Sequence, residues 1–194
     1  MSDPAGRVTA ILDDHLATIR RARETLVTTV AELGGDLCAA LGRGGKLVVF
    51  GNGGSAADAQ HFAAELTSHF LAERGPLPGI ALTVDASALT AIANDYGYAE
   101  VFARQVTALV GRDDLVVAIS TSGRAESVIR GAQAARARGA RTWALTGGTG
   151  GGLAEVADRS LVAPSGETAR IQEVHITVIH AVCAIVDDWV AARV

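Results

Sequence analysis

Residues 46–55 read Lys46-Leu-Val-Val-Phe-Gly-Asn-Gly-Gly-Ser55: a short apolar run that passes directly into a glycine-rich turn ending on a hydroxyl. An apolar run of this length, bounded by turn residues, is the pattern of a strand buried on both faces. Four further runs share it, at 79–83 (GIALT), 114–120 (DLVVAIS), 141–146 (RTWALT) and 159–163 (RSLVA). Between them, 56–71, 100–110 and 126–138 have helical character, and 168–190 forms a long apolar-rich helix. This alternation predicts an α/β fold, a parallel sheet with helices on both faces. The glycine run 147–152 is expected to be a flexible loop.

Ahead of the first strand, Leu12, Leu16, Ile19, Leu26, Val30 and Leu33 follow one another at spacings of 4, 3, 7, 4 and 3, a heptad seam interrupted by Arg23. The spacing predicts a long helix, with Gly34-Gly35 ending it and a shorter helix running on through Leu41 to Gly42 and Gly44-Gly45. The seam could pack on its own domain or against the same helix of a second subunit. The second reading is favoured, because the helix precedes the first strand instead of crossing between two.

At 194 residues the chain is expected to be one domain, with 1–44 as a helical extension used in oligomerisation and 45–194 as the core and C-terminal helix. A composition 49% hydrophobic and 20% charged, with mean hydropathy +0.28, excludes a disordered chain. The formal net charge of -4 offers no basic excess for phosphates along a duplex, so no nucleic-acid partner is expected. No run of 18 apolar residues occurs and the first residues are polar, which predicts a cytoplasmic protein without a membrane partner. Cys38 and Cys183, far apart and in no Cys-x-x-Cys pair, are expected to be small buried apolar residues, not a disulfide or a thiolate zinc site.

In an open parallel sheet, ligands bind beyond the carboxyl ends of the strands, where helix N-termini present free N–H groups. Two such ends carry chemistry. Gly51-Asn52-Gly53-Gly54-Ser55 lets backbone approach a ligand closely and adds a hydroxyl; Ser120-Thr121-Ser122-Gly123 places three hydroxyls before another helix. Together they suit a phosphate ester, although a glycine turn and a hydroxyl cap are also common structural features. Gly51 to Ala56 also satisfies the dinucleotide pattern G-x-G-x-x-A, but that pattern wants an acidic residue about 20 positions on at the end of the second strand, where Asp85 comes 34 positions after Gly51. No Walker A loop occurs.

On the helix after the glycine turn, His61 and Glu65 are spaced i, i+4 and share a face, as a metal-ligand or acid–base pair would. In the last helix Gln172 and His180 are about 80° apart in azimuth, close enough to converge on one site. Two histidines, a carboxylate and an amide oxygen suit zinc or a similar divalent ion better than magnesium. His15, His69 and His175 have no comparable setting and are expected to be structural or solvated.

Gly51 to Ser55, the run 58–67 (DAQHFAAELT), Ala93-Asn94-Asp95, Ile119-Ser-Thr-Ser-Gly123 and Arg170-Ile-Gln-Glu-Val-His175 followed by His180 together resemble the sedoheptulose 7-phosphate (phosphoheptose) isomerases of the sugar isomerase (SIS) superfamily. The resemblance covers essentially the whole chain. It implies a three-layer αβα fold on a five-stranded parallel sheet and a homotetramer with active sites between subunits. By the same resemblance His61, Glu65, Gln172 and His180 would hold zinc. Asn52, Gly53, Gly54, Ser55, Asn94, Asp95, Ser120, Thr121 and Ser122 would contact the sugar phosphate. Moving a proton between C1 and C2 through an enediol needs a base and an acid at the carbonyl; Glu65 is the candidate base and His180 the candidate acid. Where the family usually continues Asn-Ser after Ser-Thr-Ser-Gly, this chain has Arg124-Ala125, so one hydroxyl is lost. Arg124 either compensates at the phosphate or points to solvent. Ala169 stands where some members have Asp. Two other readings remain: a non-catalytic relative binding the replication initiator protein DnaA, disfavoured by the presence of Glu65 and His180, and a SIS isomerase or sensor for another sugar phosphate.

Overall fold

The computed structural model describes residues 3–193. The chain runs α1 (Pro4–Gly42), β1 (Leu47–Gly51), α2 (Gly54–Thr67), β2 (Gly79–Ala81), α3 (Ala86–Tyr96), a 3-10 turn at Tyr98–Glu100, α4 (Val101–Leu109), β3 (Leu115–Ile119), α5 (Glu126–Ala137), β4 (Arg141–Gly147), α6 (Gly151–Val156), β5 (Arg159–Ala163) and α7 (Thr168–Ala191). All strand pairs are parallel, in the order β2-β1-β3-β4-β5. The expected α/β class and five-stranded parallel sheet are therefore found.

Each central strand is apolar throughout because it feeds two cores. Leu47 and Val49, Leu115 and Val117, and Trp143 and Leu145 face a layer made by α1, α2 and α7. Val48, Phe50, Val116, Ala118 and Ala144 face the layer of α4, α5 and α6, with α3 beside it. The period-2 alternation of side chains thus gives a continuous apolar run when both sides are covered. α7 is long and apolar enough to pass for a membrane span, with a mean hydropathy of 1.5 over its most apolar window. Its buried stripe, Ile171, Val174, Val178, Ile179, Val182, Cys183 and Val186, belongs to the first core, as expected of an internal helix.

Four expectations are corrected. Gly34-Gly35 does not end the first helix, which continues without a break to Gly42. Gly34 is instead the point of closest approach to α7, since a Cβ there would come within 2.8 Å of Ile185 Cδ1. Small size, not helix termination, is what that glycine supplies. The strand expected at 79–83 stops at Ala81, and the next residues turn into α3, a helix not expected from the sequence, whose Leu89, Ile92 and Ala93 pack on the second core. Asp85 caps that helix, its Oδ1 accepting from the Ala88 N–H at 2.9 Å, so it is committed to a structural bond. The helix expected at 56–71 starts two residues earlier and ends at Thr67. Finally, 147–152 is no open loop: Gly147 closes β4 and Gly151 opens α6. The bend is held by backbone bonds from the Gly147 N–H to the Thr121 carbonyl at 3.1 Å and from the Leu153 N–H to the Gly123 carbonyl at 2.9 Å; Gly123 must be glycine there, since a Cβ would run into the Gly150 carbonyl and its φ is +63°.

Candidate active site

β1 and β3 lie side by side, so the two suggestive strand ends come together. Asn52, Ser55, Ile119, Ser120, Thr121, Ser122 and Ala125 line one concave pocket of about 180 Å³. Ser55 and Ser120 are buried in its wall. The helices that open on it, α2 and α5, have no side-chain cap on their first turns. Both helices start at or beside residues of the lining, Ser55 and Ala125, so the positive end of each helix dipole lies at the pocket, an arrangement suited to an anion. Gly53 makes the α2 entry possible with a φ of +56°. Gly54 is the first residue of α2, and a Cβ there would run into the Gln172 carboxamide, which packs against this turn.

Asn52 is held at both ends of its amide. Its Nδ2 donates to Ser127 Oγ at 3.0 Å, and its Oδ1 accepts from the Tyr98 hydroxyl at 2.8 Å. Neither partner was legible from sequence, since each is a single polar residue 46 or 75 positions away. Asn94 and Asp95 are exposed on α3, where Asn94 Nδ2 donates to Asp95 Oδ1 at 2.8 Å; they are not among the residues lining the pocket. Arg124 is exposed at the pocket rim, and its N–H donates to Ser122 Oγ at 3.2 Å.

The second constellation lies farther along α2. His61 Nε2 is 3.0 Å from Glu65 Oε1 and 3.1 Å from His180 Nε2. Ligand atoms of His61, Glu65 and His180 all lie within 4.8 Å of one another. Three ligands placed 2.0–2.1 Å from one tetrahedral ion would be about 3.3 Å apart, so the donor set and its spacing both fit zinc or a similar divalent ion. Three protein ligands with a position left open is also the pattern of a catalytic site, not of a closed structural one. Gln172 lies on the same helix as His180, but its amide is placed at Gly54. Phe70 stacks on the far side of the His180 ring, centroids 5.4 Å apart and planes 25° apart.

Asp58, one turn before His61, was not singled out by the sequence reading. Burial pushes its carboxyl above the usual range, with the nearby His61 pulling the other way, and its Oδ2 is buried without a partner among the described residues. Cys183 is fully buried, and its thiol is pushed up to about 12 by burial and by the carboxylates of Glu65 and Asp187. It stays a neutral packing group beside the cluster. The other histidines are structural or exposed: His15 pairs with Glu173 at 2.6 Å, His175 is buried with Nε2 donating to the Thr146 carbonyl at 3.0 Å, and His69 is exposed.

The two constellations share one helix. Ser55 sits in the wall of the hydroxyl pocket and His61 six residues later, about 9 Å along the axis. A molecule with an anionic group at one end and a reactive carbonyl at the other matches that layout.

Comparison with known proteins points the same way. The SIS domain family matches residues 12–147. A probable phosphoheptose isomerase of Thermoplasma acidophilum is 53% identical over 169 residues, 87% of this chain and 93% of that protein. The phosphoheptose isomerase of Roseiflexus sp. is 51% identical over 191 residues, 96% of this chain and 97% of its own length. The solved structure of phosphoheptose isomerase GmhA from Neisseria gonorrhoeae superposes with a TM-score of 0.91 at 43% identity, covering 96% of this chain and all of that one. With sequence, fold and the arrangement of hydroxyls, histidines and carboxylate in agreement, the chain belongs to the phosphoheptose isomerases of the SIS-domain superfamily.

Proposed function

We propose that the chain interconverts sedoheptulose 7-phosphate and D-glycero-D-manno-heptose 7-phosphate, the first step of heptose biosynthesis. The observation that carries this reading is the convergence of Glu65, His61 and His180 on the helix whose N-terminus opens the hydroxyl pocket. The phosphate sits against Ser55, Ser120, Thr121 and Ser122 and the first N–H groups of α2 and α5, with Arg124 at the rim. Asn52, Gly53, Gly54 and Gln172 contact the sugar chain near the start of α2, and Asn94 and Asp95 approach it from α3.

Glu65 removes the proton from C1 of the open-chain ketose and returns it to C2, giving the aldose through an enediol. His180 carries the hydroxyl proton between the two oxygens. His61, Glu65 and His180 would hold a divalent ion, zinc by the donor set, with one position left open, and such an ion would act as a Lewis acid on the substrate's oxygens, while Gln172, whose amide packs at Gly54, serves the sugar chain.

The active form is a homotetramer with its sites between subunits. Supporting this, Val8, Leu12 and Leu16 of α1 are exposed by half or more, and an open apolar groove of about 480 Å³ runs between α1 and α7 past Ile19, Leu26, Val30, Val178 and Ile185. The heptad seam is split accordingly. Leu26 and Leu33 pack within the subunit, and the N-terminal turns are left for a partner. In this reading residues 1–44 serve assembly and 45–194 form the catalytic unit, working in the cytoplasm on a phosphorylated metabolite.

The test is an NMR time course with sedoheptulose 7-phosphate in deuterated water. The expected result is an aldose heptose phosphate partly deuterated at C2, with turnover lost on chelation and restored by zinc. No turnover with zinc present overturns the assignment.

A further inference from the structure

α2 ends at Thr67, which leaves the carbonyls of its last turn without helical partners. One side chain reaches both the Glu65 and Leu66 carbonyls: Arg74 Nη2 donates to Glu65 O at 2.8 Å and Nη1 to Leu66 O at 3.0 Å, the latter carbonyl also accepting from the Leu77 N–H at 2.9 Å. Arg74 Nε in turn donates to Asp187 Oδ1 at 2.8 Å. The other carboxylate oxygen, Oδ2, accepts from the Leu71 and Ala72 N–H groups at 2.9 and 3.0 Å. Both side chains are almost fully buried, at 3% and 7% exposure. A guanidinium is the one side chain whose rigid planar fork can cap a helix end and hold a carboxylate at once.

Asp187 stands seven residues after His180, two turns along α7 on nearly the same face. One end of the pair therefore grips the backbone of Glu65 itself, and the other belongs to the stripe that carries His180. Segment 68–75 between them has its course fixed by Asp187 at Leu71 and Ala72, and that course seats Phe70 on the His180 ring. A buried ion pair is weak evidence for stability, since an apolar replacement often serves as well. What this one fixes is the distance and angle between two helices that meet only through tertiary contact.

We propose that Arg74 and Asp187 form a positioning latch that sets Glu65 against His180, with Phe70 as the part of the latch that orients the imidazole. This rests on the reading of Glu65 and His180 as the proton carriers. None of the three latch residues lines the hydroxyl pocket; they act through the pair they align.

The test uses the full-length enzyme with Asp187→Asn, Arg74→Lys, Phe70→Leu and, as reference, Glu65→Gln. Folding is followed by circular dichroism and melting, zinc affinity of the protein alone by competition with a chromogenic chelator, and kcat, KM and the pH profile of kcat separately. In folded Asp187→Asn and Arg74→Lys, kcat is expected to fall about 10- to 100-fold, with KM within about twofold and zinc affinity weakened about tenfold. Phe70→Leu should fold normally and displace the pH profile of kcat. If the two polar variants fold and leave kcat, pH profile and zinc affinity at wild-type values, the latch is overturned. If they fail to fold, Phe70→Leu decides, and an undisplaced profile overturns the proposal. A Glu65→Gln enzyme that turns over normally sinks the proton-carrier reading beneath it; an inactive Glu65→Gln beside unaffected latch variants sinks the latch alone.

Discussion

The two halves of the candidate site are built on different foundations. The hydroxyl pocket hangs from the ends of β1 and β3, adjacent strands whose register is set by the ladder from Leu47↔Leu115 to Gly51↔Ile119. The His61–Glu65–His180 cluster is borne by two helices, and the residues facing each other across it are 119 positions apart in the chain. The sheet places the first to within a hydrogen bond by backbone pairing. The second depends on side-chain packing, on the Arg74–Asp187 pair and on how α7 is held to the sheet. On the proposed reading, anion binding is set by backbone pairing, and proton transfer by packing that distant residues can detune.

Four measurements would break or sharpen that contrast. Glu65→Gln should cost the most, about 10³-fold in kcat with KM little changed, because a positioned general base and a carboxylate metal ligand are lost together while nothing at the pocket is touched; steady-state kinetics on the folded variant check this.

The next effect lies at the joint between the two halves. His175 is buried, and its pKa is lowered from 6.5 to about 4, chiefly by burial, with the bond to the Thr146 carbonyl acting the other way. Between those two values the unfolded chain binds a proton that the folded chain refuses. The stability contribution is therefore complete above about 6.5 and is lost as pH falls toward 4, by at most roughly 3 kcal/mol. Urea midpoints should fall between pH 7 and 5 in the parent, and the fall should be shallower in His175→Gln, which keeps a donor for Thr146.

At the pocket, Ser120→Ala should raise KM about tenfold and spare kcat, the opposite split from Glu65→Gln, since one hydrogen bond to a charged group is lost. The smallest change is expected of Arg124→Ala, about threefold in KM and weaker still at high salt, as befits an exposed charge. If Arg124→Ala instead matched Ser120→Ala, the arginine would be replacing the hydroxyl missing at Ala125.

Legibility in the sequence followed the same division. The three central strands could be located because burial on both faces leaves an unbroken apolar run, the two edge strands by shorter runs between turn residues, and the strand-end hydroxyls came with them. His61 and Glu65 were legible as an i, i+4 pair. His180 was placed by helical azimuth, which gives direction and says nothing of distance. Tyr98, Ser127, Arg74 and Asp187 carried no local signal, because each acts on a residue brought near only by the fold. α3 carries a short stripe, Leu89, Ile92 and Ala93, that packs on the second core, but its apolar residues are only partly buried and it follows the edge strand within a few residues, so it was not separated from the strand before it. Gly34 was misread for a physical reason as well: a glycine that allows two helices to touch looks, in sequence, like one that stops a helix.

The edge strand β2 has a consequence for how copies of the chain can meet. It is three residues long, is preceded by Pro76 and Pro78, and borders the sheet on one side. Proline has no N–H to donate, and so short a strand offers few free backbone groups, so a second molecule has little to add a strand to. Fibrous, edge-to-edge growth is blocked on that side at the level of the backbone, and the helical surfaces are left as the place where recognition between copies can be selective.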